Sequence, residues 1–257
     1  MIILYHLAIS HYNEKARWAL DIKAVPHERR AVVPGAHRFV ARRIAGNTTL
    51  PALVDTDTGA RLGESSAILQ YLDQKFPEPR LYPADEQGRD RVLKIERYFD
   101  DIAGPAVRGF GYAYLQDFPR VLKARWSPGL SGAQRVVLAL MFPVLRRLLP
   151  RVFGLTPERT ERRGKQILDI CTKIESWLQE SGCGYLHGDT FTAADLTAVS
   201  LLGPLLQPQG SPWGMRSKAA EPGFPPAPFV EYRQEFMRRE AAQWAMGIWN
   251  RHRGARA

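Results

Sequence analysis

The chain has 257 residues, of which 45% are hydrophobic and 24% are charged. This is an ordinary globular composition, and it excludes a fibrous repeat and a globally disordered chain. Two cysteines exclude a disulfide framework and, without a CxxC motif or Cys/His cluster, indicate no metal site. The net charge of +10 is not arranged as a nucleic-acid-binding motif, so no nucleic-acid partner is expected.

The start of the chain and its apolar stretches predict a cytoplasmic protein. Met1 leads directly into an apolar segment without a basic leader, so no signal peptide is expected. The longest apolar run, Val136–Leu145, is interrupted by Pro143. It is much shorter than the roughly 20 residues that cross a bilayer. The two cysteines are therefore expected to be reduced thiols.

The first 79 residues alternate between strand and helix patterns. The strand patterns are short, apolar and β-branched, and the helical ones have apolar residues on one face. They predict the order β-α-β-α-β-β-α, with strands at Ile2–Leu7, His27–Val33, Leu50–Val54 and Ala60–Leu62. The first helix follows Ser10, with Glu14 early in it and helical spacing of apolar residues from Ala16 to Ile22, and the other helices are Phe39–Ile44 and Ser65–Phe76. Prolines 77, 79 and 83 then predict a linker, because proline blocks helix and ladder bonding.

After Asp85 the sequence has helical spacing only. It predicts a helix that Asp85 caps, another over Gln166–Leu178 and a last one over Phe229–Trp249. The Pro- and Gly-rich stretch 204–229 is expected to be an irregular loop. The sequence therefore predicts an α/β domain over residues 1–79 and an all-α domain over residues 86–257.

Ser10 lies between the first strand and the first helix. Free N–H groups and the helix dipole favour negative charge at such a position, so it can stabilise a thiolate. A thiol whose pKa falls below its usual value near 8.5 becomes nucleophilic at neutral pH. A hydroxyl that only caps the helix is the alternative.

Two further motifs suit a peptide ligand. A cis bond at Leu50-Pro51 would leave the Leu50 backbone able to pair with an extended peptide, whereas a trans bond would begin an ordinary strand. At Glu64-Ser65, Ser65 is expected to be the N-cap that binds a carboxylate, and Glu64 can receive an ammonium group. A zwitterionic amino-acid end group satisfies both, although a plain capped helix has the same pattern.

In this order and spacing, the motifs resemble the glutathione S-transferase family from Ile2 to about Tyr82. The resemblance implies a thioredoxin-like N-terminal domain, an all-helical C-terminal domain, glutathione as co-substrate and no metal. It also implies a cis Pro51, pairing of the Leu50 main chain with the glutathione cysteinyl unit, and a γ-glutamyl site at Glu64 and Ser65. Ser10 is then the expected catalytic residue. A homodimer is implied by the resemblance alone.

The chain departs from the family pattern beside Ser10. His11 stands where many members have proline, and Asn13 where some bacterial relatives have cysteine. His11 and Asn13 are candidate donors to the sulfur, and Tyr5 on the first strand is another candidate activator. Both cysteines lie in the helical half, which disfavours redox chemistry through a mixed disulfide.

The helical half contains candidate residues for three features: a second-substrate pocket, a helix cap and a basic surface segment. Phe110, Tyr112 and Tyr114 are candidate lining of a pocket for a second substrate, or plain core. Thr192 and Asp195 form a predicted capping box, which is structural. The basic segment 130–163 contains Val136–Arg151, for which a lid or dimer element is the expected role and peripheral membrane docking the alternative.

The sequence thus predicts a detoxification-type glutathione transferase that activates the thiol for attack on a small hydrophobic electrophile. A non-catalytic binding or partner-docking module on the same scaffold is the alternative, because fold alone does not establish activity. The sequence does not choose the electrophile.

Overall fold

A four-stranded mixed sheet forms the centre of the N-terminal part of the computed structural model, which describes residues 1–214 and 221–253. The central strand β1 (Ile2–His6) pairs in parallel with β2 (His27–Ala31) and antiparallel with β3 (Ala52–Asp55). The short strand β4 (Arg61–Leu62) completes the order β2-β1-β3-β4. β1 is apolar and almost wholly buried, as expected of a strand with neighbours on both sides.

Three helices cover this sheet: α1 (His11–Ile22), α2 (His37–Ala45) and α3 (Ser65–Lys75). The predicted order β-α-β-α-β-β-α is confirmed, and so is the thioredoxin-like class. α2 ends at Gly46, whose φ of 75° is the left-handed conformation that glycine adopts without steric cost.

The remaining elements are helical, as predicted. They are α4 (Glu86–Tyr98), α5 (Gly104–Leu115), α6 (Pro119–Trp126), α7 (Gly132–Phe153), α8 (Pro157–Ser181), α9 (Ala193–Leu206), α10 (Ala227–Arg238) and α11 (Glu240–His252). One π-helical turn, Phe99–Ala103, joins α4 to α5. Asp85 caps α4 by accepting a hydrogen bond from the Gly88 N–H, at 2.7 Å.

Two predictions for the helical part differ from the structure. The single last helix predicted over Phe229–Trp249 is two helices, because Arg239 between them has an extended backbone. The Arg239 guanidinium is paired with Glu175 on α8, at 2.5 Å, and this contact holds the break in place. The loop predicted over 204–229 is too long at both ends, because α9 continues to Leu206 and α10 begins at Ala227. Residues 215–220 of this stretch lie outside the described part of the chain.

The predicted cap of α9 is confirmed. Asp195 accepts hydrogen bonds from the backbone N–H groups of Thr192, at 2.9 Å, and Leu186, at 2.8 Å. Phe191, which precedes the cap, packs its ring against His252 and Trp18. Local capping chemistry thus sets the start of the helix on which the N-terminal part rests.

One apolar core joins the sheet domain to the helices. α9 is buried along nearly its whole length and packs against α1, α4, α5 and α11. Trp18 of α1 and Trp249 of α11 meet edge to face at 5.4 Å within this core. A second cluster joins Val33 to the apolar sides of α5, α6 and α7, and it forms one wall of the cleft described below. No helix in the described ranges is both long and apolar enough to span a membrane.

Candidate active site

A cleft of about 770 Å³ separates the sheet domain from the helices. This volume is in the range of small-molecule sites. The cleft brings together six predicted residues of the N-terminal domain: Ser10, His11, Leu50, Pro51, Glu64 and Ser65. Tyr112 and Tyr114 of α5 line it from the helical side.

Asn13 connects the loop before α1 to the loop before β3. Its Oδ1 accepts from the Leu7 N–H at 2.8 Å, and its Nδ2 donates to the Leu50 carbonyl at 2.9 Å. These two backbone groups determine the orientation of the amide, because an N–H only donates and a carbonyl only accepts. The second Nδ2 hydrogen is donated to Ser10 Oγ at 2.7 Å. Asn13 is fully buried, and neither of its amide hydrogens remains for a ligand sulfur.

Ser10 occupies the N-cap position of α1 without capping it through its side chain. The alternative in which Ser10 is only a cap is therefore not supported. Because Ser10 Oγ accepts from Asn13, its own proton remains available to another acceptor. The first amide groups of α1 have no partner within the helix, so positive potential and a hydroxyl donor coincide at this corner of the cleft.

His11 follows Ser10 and is neutral at physiological pH. Burial and the nearby Arg108 charge lower the pKa of His11 from 6.5 to about 3. The residue is 3% exposed, and its Nε2 has no hydrogen-bond partner among the described residues. The imidazole thus brings no positive charge to the cleft, but it has one nitrogen free for a hydrogen bond.

The peptide bond Leu50-Pro51 is cis, as the family resemblance implies. Leu50 is buried, and the hydrogen bond that its carbonyl accepts from Asn13 holds it beside the Ser10 loop. No described residue bonds to the Leu50 N–H. This backbone group is therefore available to an extended ligand.

The prediction that Ser65 caps α3 was wrong by one position. Glu64, with extended backbone angles, is the N-cap, and Ser65 is the first helical residue. The consequence for a ligand is small, because the unpaired amide groups of the first turn still lie in the cleft. Glu64 is exposed and Ser65 is buried.

A buried lysine fixes the start of α3. Lys15 Nζ donates to Ser66 Oγ at 2.7 Å and forms ion pairs with Asp100, at 2.8 Å, and Glu96, at 2.9 Å. Its side chain is fully buried. Because a buried ammonium needs such partners, α1, α3 and the α4–α5 junction are held in one arrangement.

Three predicted residues lie outside the cleft lining, namely Asn13, described above, Tyr5 and Phe110. The Tyr5 hydroxyl accepts a hydrogen bond from Arg30 on β2, at 3.0 Å, because Tyr5 and Arg30 are cross-strand partners. Phe110 points into the core instead of the second-substrate pocket, and its ring packs against Tyr114 and Tyr232. Helical spacing in the sequence predicts which residues of a helix are buried, but it does not predict whether they face the core or the cleft.

The helical wall is apolar but contains two arginines that the sequence analysis missed. Arg108 lies 5.3 Å from the centre of the Phe153 ring, and Arg125 lies 5.6 Å from that of Phe224. Both are partly buried in the cleft, and neither forms an ion pair with a described carboxylate. Burial lowers the pKa of Arg125.

Two further residues, neither of them predicted as a site residue, hold the Ser10 loop. Trp213 Nε1 donates to the Ile9 carbonyl at 2.9 Å, and Arg17 donates to the carbonyls of Ala8, at 3.0 Å, and Leu7, at 3.2 Å. A tryptophan within a Pro- and Gly-rich stretch was the one available signal for Trp213. Across the described ranges, no group of three or more His, Cys, Asp or Glu side chains is placed to hold a metal ion.

Residues 4–80 match the family model described as the glutathione S-transferase N-terminal domain. The chain is 38% identical over 96 residues to a maleylpyruvate isomerase of a Ralstonia species, covering 36% of this chain and 44% of that protein. It is 33% identical over 115 residues to a glutathione S-transferase of Triticum aestivum, covering 45% and 52%. The chain thus spans about half the length of these relatives.

Similar solved structures cover nearly the whole chain. The beta-etherase LigF of a Sphingobium strain has a TM-score of 0.60 at 19% identity, covering 96% of this chain and 98% of that one. A Ceriporiopsis subvermispora glutathione S-transferase in complex with glutathione has 0.60 at 18% identity, covering 98% and 97%. Because the sequence identities are this low, the structural similarity shows only that the chain has the same two-part fold.

Proposed function

We propose that the protein is a glutathione transferase that activates the glutathione thiol for attack on an apolar electrophile, because residues 4–80 match the family model of the glutathione S-transferase N-terminal domain. The observation that carries this proposal is the state of the Ser10 hydroxyl. It accepts a hydrogen bond from Asn13, so its proton is available at the open corner of the cleft.

The residues of the cleft fit the parts of glutathione. The free N–H of Leu50, beside the cis Pro51, suits main-chain pairing with the cysteinyl unit. The first amide groups of α3 and the Ser65 hydroxyl suit the γ-glutamyl carboxylate, and Glu64 suits its ammonium. These groups lie around one cleft together with Ser10.

Ser10 and the N-terminus of α1 then lower the pKa of the bound thiol. Glutathione supplies the nucleophilic sulfur, and the chain supplies a hydroxyl donor and helix amide groups that favour the anion. His11 adds a neutral nitrogen at most, because its pKa is far below neutrality. Asn13 acts through Ser10 and Leu50, which makes it a positioning residue.

The wall formed by α5 and α7 suits an apolar electrophile. Tyr112, Tyr114, Leu115 and Leu149 line it, and Tyr112 is fixed by a hydrogen bond that its hydroxyl accepts from Trp126, at 3.2 Å. We expect a homodimer from the family resemblance. A cytoplasmic setting, where thiols are kept reduced, is consistent with this activity.

A second candidate reaction is the glutathione-dependent isomerisation of an acidic substrate. Arg108 and Arg125, which have no described carboxylate partner, favour an electrophile that carries a carboxylate. One relative is named a maleylpyruvate isomerase and another a probable maleylacetoacetate isomerase. Turnover of maleylpyruvate that falls in Arg108→Met, while turnover of an uncharged aryl halide is kept, would favour this reaction.

The proposal is tested by titrating the thiol of bound glutathione through the ultraviolet absorbance of its thiolate. Ser10→Ala removes a hydrogen bond to a charged group, which is worth about 1.5–3 kcal/mol, so the thiol pKa is expected to rise by roughly one to two units. The affinity for glutathione, measured by calorimetry, is expected to change little. Tyr5→Phe is the matched control, because Tyr5 lies outside the cleft lining.

An unchanged thiol pKa in Ser10→Ala, or a rise in Tyr5→Phe instead, would show that another group activates the thiol. Absence of glutathione binding and of aryl halide conjugation in the unaltered protein would favour the non-catalytic binding module.

A further inference from the structure

Helix α7 is rich in apolar residues, but few of them are buried against the rest of the described chain. Only Leu138 and Leu149 of its 22 residues are buried. Five aliphatic side chains, each four positions from the next, form a ridge along its outer side: Val136 (60% exposed), Leu140 (76%), Val144 (59%), Leu148 (42%) and Val152 (62%). Successive side chains at this spacing are neighbours on a helix surface, so the five form one continuous row that is inclined to the helix axis. A contiguous exposed ridge of this kind marks an interaction surface, unlike single exposed aliphatics.

The charge along α7 has one sign. The helix contains Arg135, Arg146, Arg147 and Arg151 and no acidic residue. All four arginines are exposed. Residues 80–163 hold 16 Lys/Arg and 9 Asp/Glu, which is 16 − 9 = +7 of the chain's net +10. A partner that binds this surface must therefore offer both an apolar layer and negative charge.

Helix α2 extends the same basic and apolar character. The turn before α2 packs against α7, where an added Cβ at Gly35 would lie 2.9 Å from side-chain carbons of Met141 and Leu145. α2 contains three arginines and no acidic residue, and Phe39 on it is 71% exposed.

We propose that the exposed ridge of α7 docks the protein on an anionic membrane surface, with the helix lying in the plane of the interface. Its aliphatic side chains would enter the acyl boundary, while its arginines would reach the anionic headgroups. This mode of binding needs no membrane-spanning helix.

A second copy of the chain fits this ridge less well than a lipid surface. A two-fold interface on α7 would bring the same arginines of both copies together, with no acidic residue of the helix to neutralise them. Juxtaposed like charges oppose association, whereas anionic lipid headgroups neutralise them.

Docking at this ridge has a consequence that rests on the proposed function. Leu148 and Val152 belong both to the ridge and to the lining of the cleft. An apolar electrophile dissolved in the membrane would therefore reach the cleft along side chains of α7 without crossing open water.

The test is flotation of the full chain with phosphatidylcholine vesicles that contain or lack phosphatidylglycerol. We expect flotation with the anionic vesicles only, and less of it as salt is raised. The double variant Leu140→Glu/Val144→Glu is expected to reduce the bound fraction about tenfold, because two apolar side chains no longer enter the bilayer. Gln179→Glu, at an exposed position of α8, is the control for an added negative charge.

The arginines are tested separately by Arg146→Gln/Arg147→Gln/Arg151→Gln. The charge-matched control is Lys94→Gln/Arg97→Gln/Arg238→Gln, at exposed positions of α4 and α10. Only the α7 triple variant is expected to lose flotation. Equal loss in both triple variants, equal binding to both kinds of vesicle, or no binding at low salt would each overturn the proposal.

Two further measurements separate the remaining explanations. If Leu140→Glu/Val144→Glu converts a dimer to a monomer in sedimentation velocity while the unaltered chain does not float, the ridge binds a second copy and the proposal is wrong. Conjugation of a water-soluble aryl halide is expected to be unchanged in this variant, because neither residue lines the cleft. A chain that floats without conjugating would refute the proposed function alone.

Discussion

At the scale of single residues, hydrogen bonds within the chain determine which polar atoms of the cleft remain available to a ligand. Asn13 has one acceptor and two donors, and the structure uses all three within the chain. The hydroxyl proton of Ser10 is consequently free, although serine at a helix start usually caps the helix. The chemistry expected of Ser10 therefore depends on the residue three positions later.

His11 gives a prediction for the pH dependence of stability. The unfolded chain binds a proton on this imidazole near pH 6.5, whereas in the folded chain burial and Arg108 lower the pKa to about 3. More protons are bound in the unfolded state between these values, so the free energy of unfolding falls as the pH drops from 6.5 to 3.

The variant His11→Gln is expected to lose this contribution, which amounts to a slope of about 1.4 kcal/mol per pH unit. The measurement is urea unfolding of both proteins across this pH range. His6, whose pKa burial and Arg17 also lower to about 3, adds a slope of the same sign to both proteins. The difference between them therefore isolates His11, and equal slopes would contradict the prediction.

At the scale of elements, the end of α11 is attached to α1 by buried ion pairs. Arg253 pairs with Glu14 at 2.8 Å and also with Asp21. Glu14 in turn pairs with Arg17 at 2.7 Å, and the two arginines hold the pKa of Glu14 below its usual value. Because Arg17 donates to the carbonyls of Leu7 and Ala8, this network reaches the Ser10 loop from the far end of the chain.

Arg253→Met is expected to destabilise the protein by about 3 kcal/mol, because it removes one partner from a buried charge network. Chemical denaturation measures this change. Arg251→Met, on the exposed side of the same helical turn, is the control and is expected to stay within about 0.5 kcal/mol of the unaltered protein. Similar losses in the two variants would mean that the buried pairs contribute nothing specific.

At the scale of the whole molecule, the two parts share one core. α1 packs its buried side against α9, and Trp18 lies in the same apolar cluster as Trp249. The fully buried Lys15 finds its carboxylates, Glu96 and Asp100, only in the helical part. The N-terminal domain is thus completed by residues outside it.

A fragment of residues 1–79 is therefore expected not to fold by itself, because it would expose the buried side of α1 and leave Lys15 without its carboxylates. Dispersion of the amide proton signals in nuclear magnetic resonance measures this, with the full chain in the same buffer as the reference. The full chain is expected to unfold in one cooperative transition. A well-dispersed spectrum of the fragment would contradict a shared core.

The sequence by itself determined the order of the N-terminal elements, the helical character of the rest and the position of the three motifs. These features follow from short-range rules, namely the periodicity of apolar residues, helix capping and the places where proline and glycine interrupt an element. Errors at this level were small, such as the one-residue shift at Ser65 or the break at Arg239 in the last predicted helix.

Tertiary structure alone decided which side chains meet at the cleft. Trp213 bonds to Ile9 across 204 positions of sequence, and Arg253 bonds to Glu14 across 239. It also placed Phe110 in the core and Arg108 in the cleft, although both are on α5. The physical reason is that a pattern on one helix shows which side is buried, but the partner covering each side is set by long-range packing.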